Sequence, residues 1–406
     1  MKVEKMPPAR NALRDISEVG FLCTGCAACA TVCVKRCITM TPNEEGFLFP
    51  RINRQICIAC GKCLMICPAF SGFQEKTPTA VYAAASKEIE ETWNSSSGGV
   101  FFYAAKYVIE ELKGYVCGAV LDDKLMLQHI VTNDLHIVSK MQGSKYIQSD
   151  IGNSYIQIID LVKKGETVLF SGTPCQVAGI ISATNNSEHL YTMDLICHGV
   201  PSNLAFQDYM HSMYELNLPM QLTFRQKSRH IKSSFSYSYY KNGNMTKSKT
   251  IPAFKDPFYQ AFLDGYNYRE SCYSCQYTKS KRVGDMTIGD CANWKAYEFS
   301  VDKVLSTVII NSEKGAALWA AIANKFDFKD ADYPKECEMN MQLHTCVSRA
   351  PKRDKFYKDI KMFSLQQLKA KYCPHRGVKE KLVYFVLTHT TANGRNTLKR
   401  LLRRNK

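Results

Sequence analysis

Residues 23–33 read CTGCAACATVC and residues 57–68 read CIACGKCLMICP, and these two stretches decide the architecture of the N-terminal part of the chain. Both place four cysteines at the spacing C-x2-C-x2-C-x3-C, and the second run ends in proline. Nine of the 18 cysteines lie between Cys23 and Cys67, and the other nine are scattered over the rest of the sequence. A separate cysteine-rich module is therefore predicted near the N-terminus.

The spacing of each run is typical of cysteines that bind 4Fe-4S clusters in two-cluster bacterial ferredoxins. Three closely spaced thiolates hold three corners of one cluster, and the fourth cysteine of the run binds the other cluster. The two runs therefore predict one cluster held by Cys23, Cys26, Cys29 and Cys67, and a second held by Cys57, Cys60, Cys63 and Cys33. The alternative is a pair of zinc sites, which would need four cysteines each but not two identical runs.

Two features of the module depart from the simplest pattern. Val34 follows Cys33, where the second run has a proline after its last cysteine. Cys37 is a ninth cysteine, and we predict that it is a small buried apolar residue rather than a ligand. Neither feature removes one of the eight predicted ligands.

The size and composition of the chain exclude several classes of protein. A length of 406 residues predicts a small module joined to a larger one, and 45% hydrophobic with 22% charged residues is ordinary globular composition. The apolar run Leu382–Leu387 is far shorter than the roughly 20 residues that span a bilayer. The first 21 residues lack the apolar segment of a secretion signal. We therefore expect a cytoplasmic protein whose cysteines are reduced and available to metals.

The distribution of charge and of apolar residues predicts four parts of the chain. An N-terminal arm (1–18) precedes the ferredoxin-like module (19–71), and the stretch 70–79 is predicted to be a linker. In the body (80–345), short apolar runs alternate with helical patterns, which indicates an α+β fold with a larger mixed α/β domain. The basic tail (346–406) is predicted to be helical and peripheral, because 13 of the 16 net positive charges follow residue 351.

Individual elements of the body can be placed from their patterns. Helices are expected at about 99–112 and 153–162. Strands are expected at residues 81–85, 116–121, 168–171 and 191–196. At the end of the tail, Leu398, Leu401 and Leu402 lie opposite basic residues, which predicts a short amphipathic helix suited to an anionic membrane surface or an acidic partner. A purely solvated end is the alternative.

Short motifs in the body resemble the beta subunit of coenzyme F420 hydrogenase and dehydrogenase, together with its ferredoxin-fused relatives. The resemblance covers roughly residues 19–345 and depends on the order of several motifs. They are SSSGG at 95–99, GSKY at 143–146, SGTPCQ at 171–176, CHG at 197–199, the pair Cys272 and Cys275, and DMTIGD at 285–290. Members of this family are iron–sulfur flavoproteins, so the resemblance implies FAD and electron transfer between clusters and a two-electron substrate.

The resemblance also suggests where FAD would bind. The Ser/Gly run precedes a helix, whose free N–H groups favour an anion such as the flavin pyrophosphate. An ordinary Ser/Gly helix cap is the alternative. Lys145 would neutralise phosphate or the charge at N1 of the reduced flavin. The residues expected to bind the cofactor are Ser96, Ser97, Gly98, Gly99, Ser144, Lys145 and Tyr146.

The remaining cysteines leave two interpretations open. Cys175 follows Pro174 at the start of a helix, where the dipole favours a thiolate, and with His198 as base it could be a nucleophile. In this interpretation the catalytic residues are Cys175, His198 and Lys145. Alternatively, a third 4Fe-4S cluster is bound by Cys175, Cys197, Cys272 and Cys275, with Cys291 as a substitute ligand. Cys117, Cys337, Cys346 and Cys373 are predicted to be structural.

Charged residues in the body have less specific roles. Asp285 and Asp290 are expected either in a solvated turn or beside the cluster or flavin. A basic strand could contact an acidic substrate, and it contains Arg225, Lys227, Arg229 and His230.

We therefore expect an oxidoreductase that passes electrons between 4Fe-4S clusters and FAD, to or from a small-molecule substrate or a deazaflavin-like coenzyme. The alternative is a non-catalytic electron-transfer subunit of a separate reductase, for example in polysaccharide biosynthesis. Expected partners are a protein that donates or accepts electrons and the inner face of a membrane. Nucleic acid is not expected, because residues 1–351 carry a net charge of only +3.

Overall fold

The computed structural model describes residues 15–213, 220–225, 234–241, 244–299 and 303–374. The N-terminal module begins with short 3-10 helices at Ile16–Glu18 and Gly20–Leu22. Its other elements are α1 (Ala28–Thr31), β1 (Ile38–Pro42), β2 (Leu48–Ile52), α2 (Lys62–Met65) and α3 (Pro68–Ser71). Strands β1 and β2 form an antiparallel hairpin, and each cysteine run contains one short helix, α1 in the first and α2 in the second. Ile16 and Val19 pack with the cysteines of this module, so its core includes residues assigned to both the arm and the module.

The body contains a further 11 strands and 11 α-helices in the described residues. Its first half consists of β3 (Ala80–Ser86), α4 (Ile89–Asn94), α5 (Val100–Glu110), β4 (Tyr115–Leu121), β5 (Leu127–Thr132), α6 (Leu135–Met141), α7 (Ser154–Lys163), β6 (Val168–Gly172), α8 (Pro174–Ala183), β7 (Leu190–Leu195) and α9 (Asn203–Met213). Its second half consists of β8 (Met220–Thr223), β9 (Ser234–Lys241), β10 (Asn244–Pro252), α10 (Pro257–Leu263), β11 (Met286–Asp290), β12 (Ser306–Ile310), α11 (Glu313–Ile322), β13 (Phe326–Asp330), α12 (Tyr333–Met339), α13 (Arg353–Met362) and α14 (Leu365–Tyr372).

Eight strands form one mixed sheet in the order β13-β3-β12-β11-β7-β6-β4-β5. The four strands β11, β7, β6 and β4 are parallel neighbours, and antiparallel strands extend the sheet on both sides. Strands β8, β9 and β10 form a separate antiparallel sheet. The prediction of a mixed α/β body is therefore confirmed, and each of the strands and helices predicted in residues 81–196 is present.

Both faces of the large sheet are covered, which explains why its inner strands are continuous apolar runs. In β6, Leu169 faces a core that also contains residues of α5 and α11, such as Val108 and Leu318. Its neighbours Val168 and Phe170 point to the opposite face, where α7 and α8 pack. Cys26 and Ala28 of the N-terminal module belong to this second core. The module is therefore docked on the α7–α8 face of the sheet.

The segment predicted to be a linker is held against the body. Lys76 pairs through its backbone with Arg282, and its ammonium group lies 2.8 Å from a carboxylate oxygen of Asp285. The Asp285 carboxylate also accepts hydrogen bonds from Thr192 and Ser312. Burial opposes ionisation of this carboxyl, but Lys76 and Lys314 lower the pKa of Asp285 below its ordinary value. Asp285 thus fixes the segment that joins the module to the body.

The predicted basic tail is only partly peripheral. Helices α13 and α14 place Phe356, Tyr357, Ile360, Leu368 and Tyr372 in a core shared with α9 and α10. These residues belong to the body because their apolar side chains recur on one face of each helix, even though lysines surround them in sequence. Residues 375–406, with the predicted amphipathic helix at 398–402 and the run Leu382–Leu387, lie outside the described residues.

Along the described part of the chain there is no helix with both the length and the apolar character needed to cross a membrane.

Because Phe356 is fully buried, replacing it with alanine should lower the free energy of unfolding by about 3–5 kcal/mol. Met362, in the same helix, is 76% exposed, so Met362→Ala should change the free energy by less than about 0.5 kcal/mol. Urea unfolding followed by far-ultraviolet circular dichroism measures both values. Equal effects of the two substitutions would contradict the packing of α13 in the core.

Candidate iron–sulfur and cofactor sites

The first cysteine group consists of Cys23, Cys26, Cys29 and Cys67. Gly25 and Ala27 adopt left-handed backbone conformations, with φ angles of +70° and +62°, so the chain turns sharply between the first three cysteines. Burial raises the pKa of the Cys29 thiol, and the nearby thiols of Cys26, Cys23 and Cys67 raise this pKa further. The fold thus brings Cys67, from the second run, close to the first three cysteines, in the arrangement that the spacing predicts for one cluster.

The second cysteine group consists of Cys33, Cys57, Cys60 and Cys63, which line one cavity of the module. Ala59 and Gly61 adopt left-handed conformations between its members, which repeats the turn of the first group. Cys37 lines the same cavity, with its sulfur 3.3 Å from that of Cys33. It is buried, as the sequence predicts.

The third cysteine group consists of Cys175, Cys197, Cys272 and Cys275. These residues line a cavity of the body, and Cys272 belongs to the 3-10 helix Glu270–Ser274. Cys175 lies in the first turn of α8, where Thr173 and Gln176 form a capping box and Pro174 occupies the first position. Cys197 follows β7. Four thiols from three distant parts of the sequence therefore converge on one cavity.

The Cys175 thiol is not activated as the sequence suggests. We expected the helix dipole to favour its thiolate, but burial raises the pKa of Cys175, with smaller contributions from Cys197 and Cys275. Its sulfur lies 3.2 Å from the hydroxyl of Thr173, while the ring of His198 packs near Phe262. Burial thus opposes ionisation of this thiol, and its hydrogen-bond partner is the hydroxyl of Thr173 rather than the ring of His198, although both Cys175 and His198 line the same cavity.

Other cysteines lie outside the three groups. Cys291 is buried with Ala83, Ala85 and Leu305, and its thiol points to Glu336 rather than to the cavity of the third group. The Cys346 thiol donates a hydrogen bond of 3.2 Å to the carbonyl oxygen of Cys275. Cys291 is therefore not placed to substitute for a ligand, and Cys346 supports the backbone next to one.

Two buried arginines lie beside the cysteine groups, and sequence analysis missed both. Arg282 lines the cavity of the third group and forms an ion pair of 2.7 Å with Asp194. Arg269 is 1% exposed and donates to the carbonyl oxygens of Cys23 and Leu48 and to the side chain of Gln148. None of these acceptors is charged.

A buried charge needs an opposite charge nearby. The guanidinium group of Arg269 lies against the backbone of Gly25, inside the loop of the first cysteine group. No ion pair joins Arg269 to a carboxylate among the residues that the structure describes. This loop is therefore suited to an anionic cluster bound by thiolates.

The main cleft is an open cavity of about 300 Å³ at one end of the large sheet. It is lined by the Ser/Gly loop before α5, by residues 142–149 after α6, and by residues at the C-terminal ends of β6, β7 and β11. Six of the seven residues expected to bind the cofactor line it, namely Ser96, Ser97, Gly99, Ser144, Lys145 and Tyr146. Its mixture of apolar and hydroxyl groups is typical of a site for a small molecule or cofactor.

The Ser/Gly loop is ordered by contacts with neighbouring strands. Ser97 donates a 2.7 Å hydrogen bond to the carbonyl oxygen of Leu305, and the Gly98 amide donates to the hydroxyl of Ser306. A Cβ atom on Gly98 would lie 2.3 Å from the carbonyl oxygen of Ala84, so only glycine fits there. Gly98 therefore packs against the sheet, while Ser96 contacts Ser144 across the cleft.

The side chain of Lys145 is half-buried beside the cleft, where its ammonium group donates to the carbonyl oxygens of Lys140, Met141 and Gln142 at the end of α6. Burial lowers the pKa of Lys145 to about 7. His129 also lines the cleft, and its Nε2 lies 3.0 Å from the carbonyl oxygen of Ser171. Its Nδ1 is buried and has no hydrogen-bond partner among the described residues. No motif identifies His129 in the sequence.

The charged residues of the body separate into two sets. Arg225 and Asp290 line the cleft and form an ion pair of 2.6 Å, whereas Asp285 is used in the contact with Lys76. Lys227, Arg229 and His230 lie outside the described residues. The cleft therefore offers one cation and one carboxylate near His198 to a bound molecule.

The main cleft and the cavity of the third cysteine group share a wall. Thr173, Cys197, His198, Gly199 and Val200 line both. The first cysteine group lies on the other side of α8, where a Cβ atom on Gly179 would lie 3.1 Å from the sulfur of Cys26. In the described ranges, no three or more His, Cys, Asp or Glu side chains are arranged to hold a single metal ion.

Comparison with known families identifies two parts of the chain. Residues 165–333 match the family described as the C terminus of the beta subunit of coenzyme F420 hydrogenase/dehydrogenase. Residues 49–72 match a 4Fe-4S binding domain. The resemblance predicted from the motifs is therefore confirmed at this level: one part of the chain matches the C-terminal domain of this beta subunit family and another matches a 4Fe-4S binding domain.

Two individual proteins are similar to parts of the chain. A stretch of 65 residues is 38% identical to an uncharacterized polyferredoxin-like protein of Methanocaldococcus jannaschii, and it covers 14% of this chain and 39% of that protein. The match thus spans well under two thirds of the relative. A chain from the F420-reducing NiFe hydrogenase complex of Methanosarcina barkeri, solved as a xenon derivative, superimposes with a TM-score of 0.44 at 17% identity, covering 73% of this chain and 91% of that chain.

The ion pair beside the third cysteine group should be important for stability. Asp194→Asn keeps the shape of the side chain but leaves Arg282 buried without a counter-charge, so it should lower the free energy of unfolding by about 3–5 kcal/mol. Asp327→Asn removes the partly exposed pair with Lys303 and should cost less than about 1 kcal/mol. Urea unfolding compares the two variants, and a loss of under about 1 kcal/mol for Asp194→Asn would contradict this role.

Proposed function

We propose that the protein is an oxidoreductase that contains three 4Fe-4S clusters and FAD. The main support for this proposal is the wall shared by the main cleft and the cavity of the third cysteine group. A cluster held by Cys175, Cys197, Cys272 and Cys275 would lie directly beside a cofactor in the cleft. Such an arrangement has a clear use only if electrons pass between the two.

The positions of the cysteine groups support a continuous path. The second group lies at the outer end of the module, and the first group lies between it and the body. Cys26 of the first group contacts α8, the helix that carries Cys175 in its first turn. In this proposal single electrons pass from one group to the next and reach the main cleft through the third group.

FAD would supply the conversion between one-electron and two-electron chemistry, which clusters cannot perform alone. The hydroxyl groups of Ser96 and Ser144 are placed to contact a dinucleotide across the cleft. Lys145 orders the loop after α6, and a phosphate bound beside it would favour its ammonium form, because its pKa is lowered to about 7.

A small-molecule substrate would enter the same cleft beside the cofactor. Arg225, Asp290 and His198 line that part, and their charges suit a polar molecule with acidic and basic groups. A deazaflavin-like coenzyme is one candidate, and an intermediate of polysaccharide biosynthesis is another. The alternative function, a non-catalytic electron-transfer subunit, is less well supported because such a subunit has no need of a cleft of this size.

The number of clusters can be tested by iron analysis. Anaerobically prepared protein should contain about twelve irons per chain, four for each cysteine group. Cys272→Ser should leave about eight, because the third cluster loses a ligand. Cys337→Ser should keep about twelve, since Cys337 lies outside the three groups and serves as a matched control. Wild-type protein with about eight irons, or no loss in Cys272→Ser, would disprove the third cluster.

The cofactor can be tested by releasing it from the protein. Wild-type protein should release about one FAD per chain on acid treatment, measured by chromatography and fluorescence. Ser144→Trp should release less than about one tenth as much, because the indole would fill the cleft that the ligand needs. Ser139→Trp, on the exposed surface of α6, should release the wild-type amount with unchanged iron. FAD retained in Ser144→Trp would place the cofactor elsewhere, and wild-type protein without FAD would refute its use.

A further inference from the structure

The surface of the N-terminal module beside the second cysteine group is unusually apolar. Val34 is 64% exposed, Ile58 is 57% exposed and Ile56 is 49% exposed. Val34 and Ile58 line the mouth of the cavity that contains Cys33, Cys57, Cys60 and Cys63. We call the surface formed by Val34, Ile56, Ile58 and Cys60 the module face. Exposed apolar residues that lie together mark binding surfaces.

The module face is also the place where a cysteine group reaches the surface. Of the 18 cysteines, all of which the structure describes, Cys60 is the one that is classed as exposed. The first and third groups are covered by the module and the body, as the burial of Cys26 and the cavity walls show. Because electron transfer weakens steeply with distance, a partner would approach the second group here.

The rim of the module face is basic. Lys35, Arg36 and Lys62 are exposed, and none of them forms an ion pair with a carboxylate in the described part of the chain. Arg54 is paired with Asp15 at 2.7 Å. A surface with an apolar centre and a basic rim complements an acidic partner.

From these observations we propose that the module face docks a small acidic protein that carries single electrons. The proposal depends on the proposed function, because it assigns the second cysteine group as the entry point of the electron path. One electron leaves the reduced carrier and reduces the cluster at each encounter, and two encounters balance one two-electron turnover in the main cleft. The encounter should be brief, with long-range attraction provided by the basic rim.

Charge reversal on the rim tests this proposal in the full-length, iron-loaded protein. The test variant is Lys35→Glu/Arg36→Glu/Lys62→Glu. The matched control is Lys113→Glu/Lys325→Glu/Lys329→Glu, which changes the net charge equally at exposed positions near α5 and β13, away from the module. The probe is an acidic two-cluster ferredoxin reduced by dithionite, and stopped-flow absorbance gives the second-order rate constant at several salt concentrations.

At low salt the rim variant should react at least about tenfold more slowly than the wild type, and the control within about twofold of it. The rate of the wild type should fall steeply with salt and that of the rim variant only weakly. Iron content equal to the wild type shows that the rim variant retains its clusters. Equal rates for the rim variant and the wild type would overturn the proposal, as would an equal loss in the control.

Two further measurements separate this proposal from its rivals. A reduced viologen dye should reduce the rim variant and the wild type equally, because the dye does not need the rim. Wild-type protein whose main-cleft cofactor the dye cannot reduce would disprove the proposed function rather than the docking surface. Sedimentation showing a dimer that the rim variant loses, or a rate that rises when residues 1–14 are deleted, would assign the face to a second copy or to the chain's own arm and overturn the proposal.

Discussion

The buried guanidinium group of Arg269 is the interaction on which the relative position of the module and the body depends. It belongs to the body, yet it donates hydrogen bonds to the carbonyl oxygens of Cys23 and Leu48, in the cysteine loop and the hairpin of the module. The rings of Phe47 and Phe49 lie within 5.4 Å and 4.4 Å of its carbon Cζ. A planar group with five donors can hold two chain segments at once, which a lysine could not do. The distance between the first cysteine group and α8 is fixed as a result.

The same arrangement places charge where the chemistry would need it. Arg282 near the third cysteine group is neutralised by Asp194, whereas Arg269 near the first group contacts only neutral acceptors. A cluster bound at the first group would therefore lie beside a net positive charge. Its reduced form would be stabilised more than that of a cluster at the third group. The body thus positions the groups and also sets their surroundings.

Local patterns in the sequence identified the parts of the protein that depend on spacing. The cysteine runs and the apolar strands β3, β4, β6 and β7 could be predicted because ligand geometry and strand burial impose short repeats. The packing of Lys352 to Tyr372 in the core could not be predicted from charge, because a helix can bury Phe356 and Ile360 while it exposes its lysines. Arg269 was missed because its hydrogen-bond partners Cys23 and Gln148 lie over a hundred residues away in the sequence, and His129 because its contact with Ser171 spans 42 residues and no motif marks it.

The contact between the module and the C-terminal part of the body has a consequence for synthesis. Arg353 in α13 forms a bidentate ion pair with Glu45, at the tip of the β1–β2 hairpin. The two residues are 308 positions apart in the sequence. The module is translated first and can fold around its cysteines early, because its own contacts are local. Its docking can be completed only after α13 has left the ribosome. The first cysteine run can therefore pack on α7 and α8 midway through synthesis, whereas the hairpin is fixed only near its end.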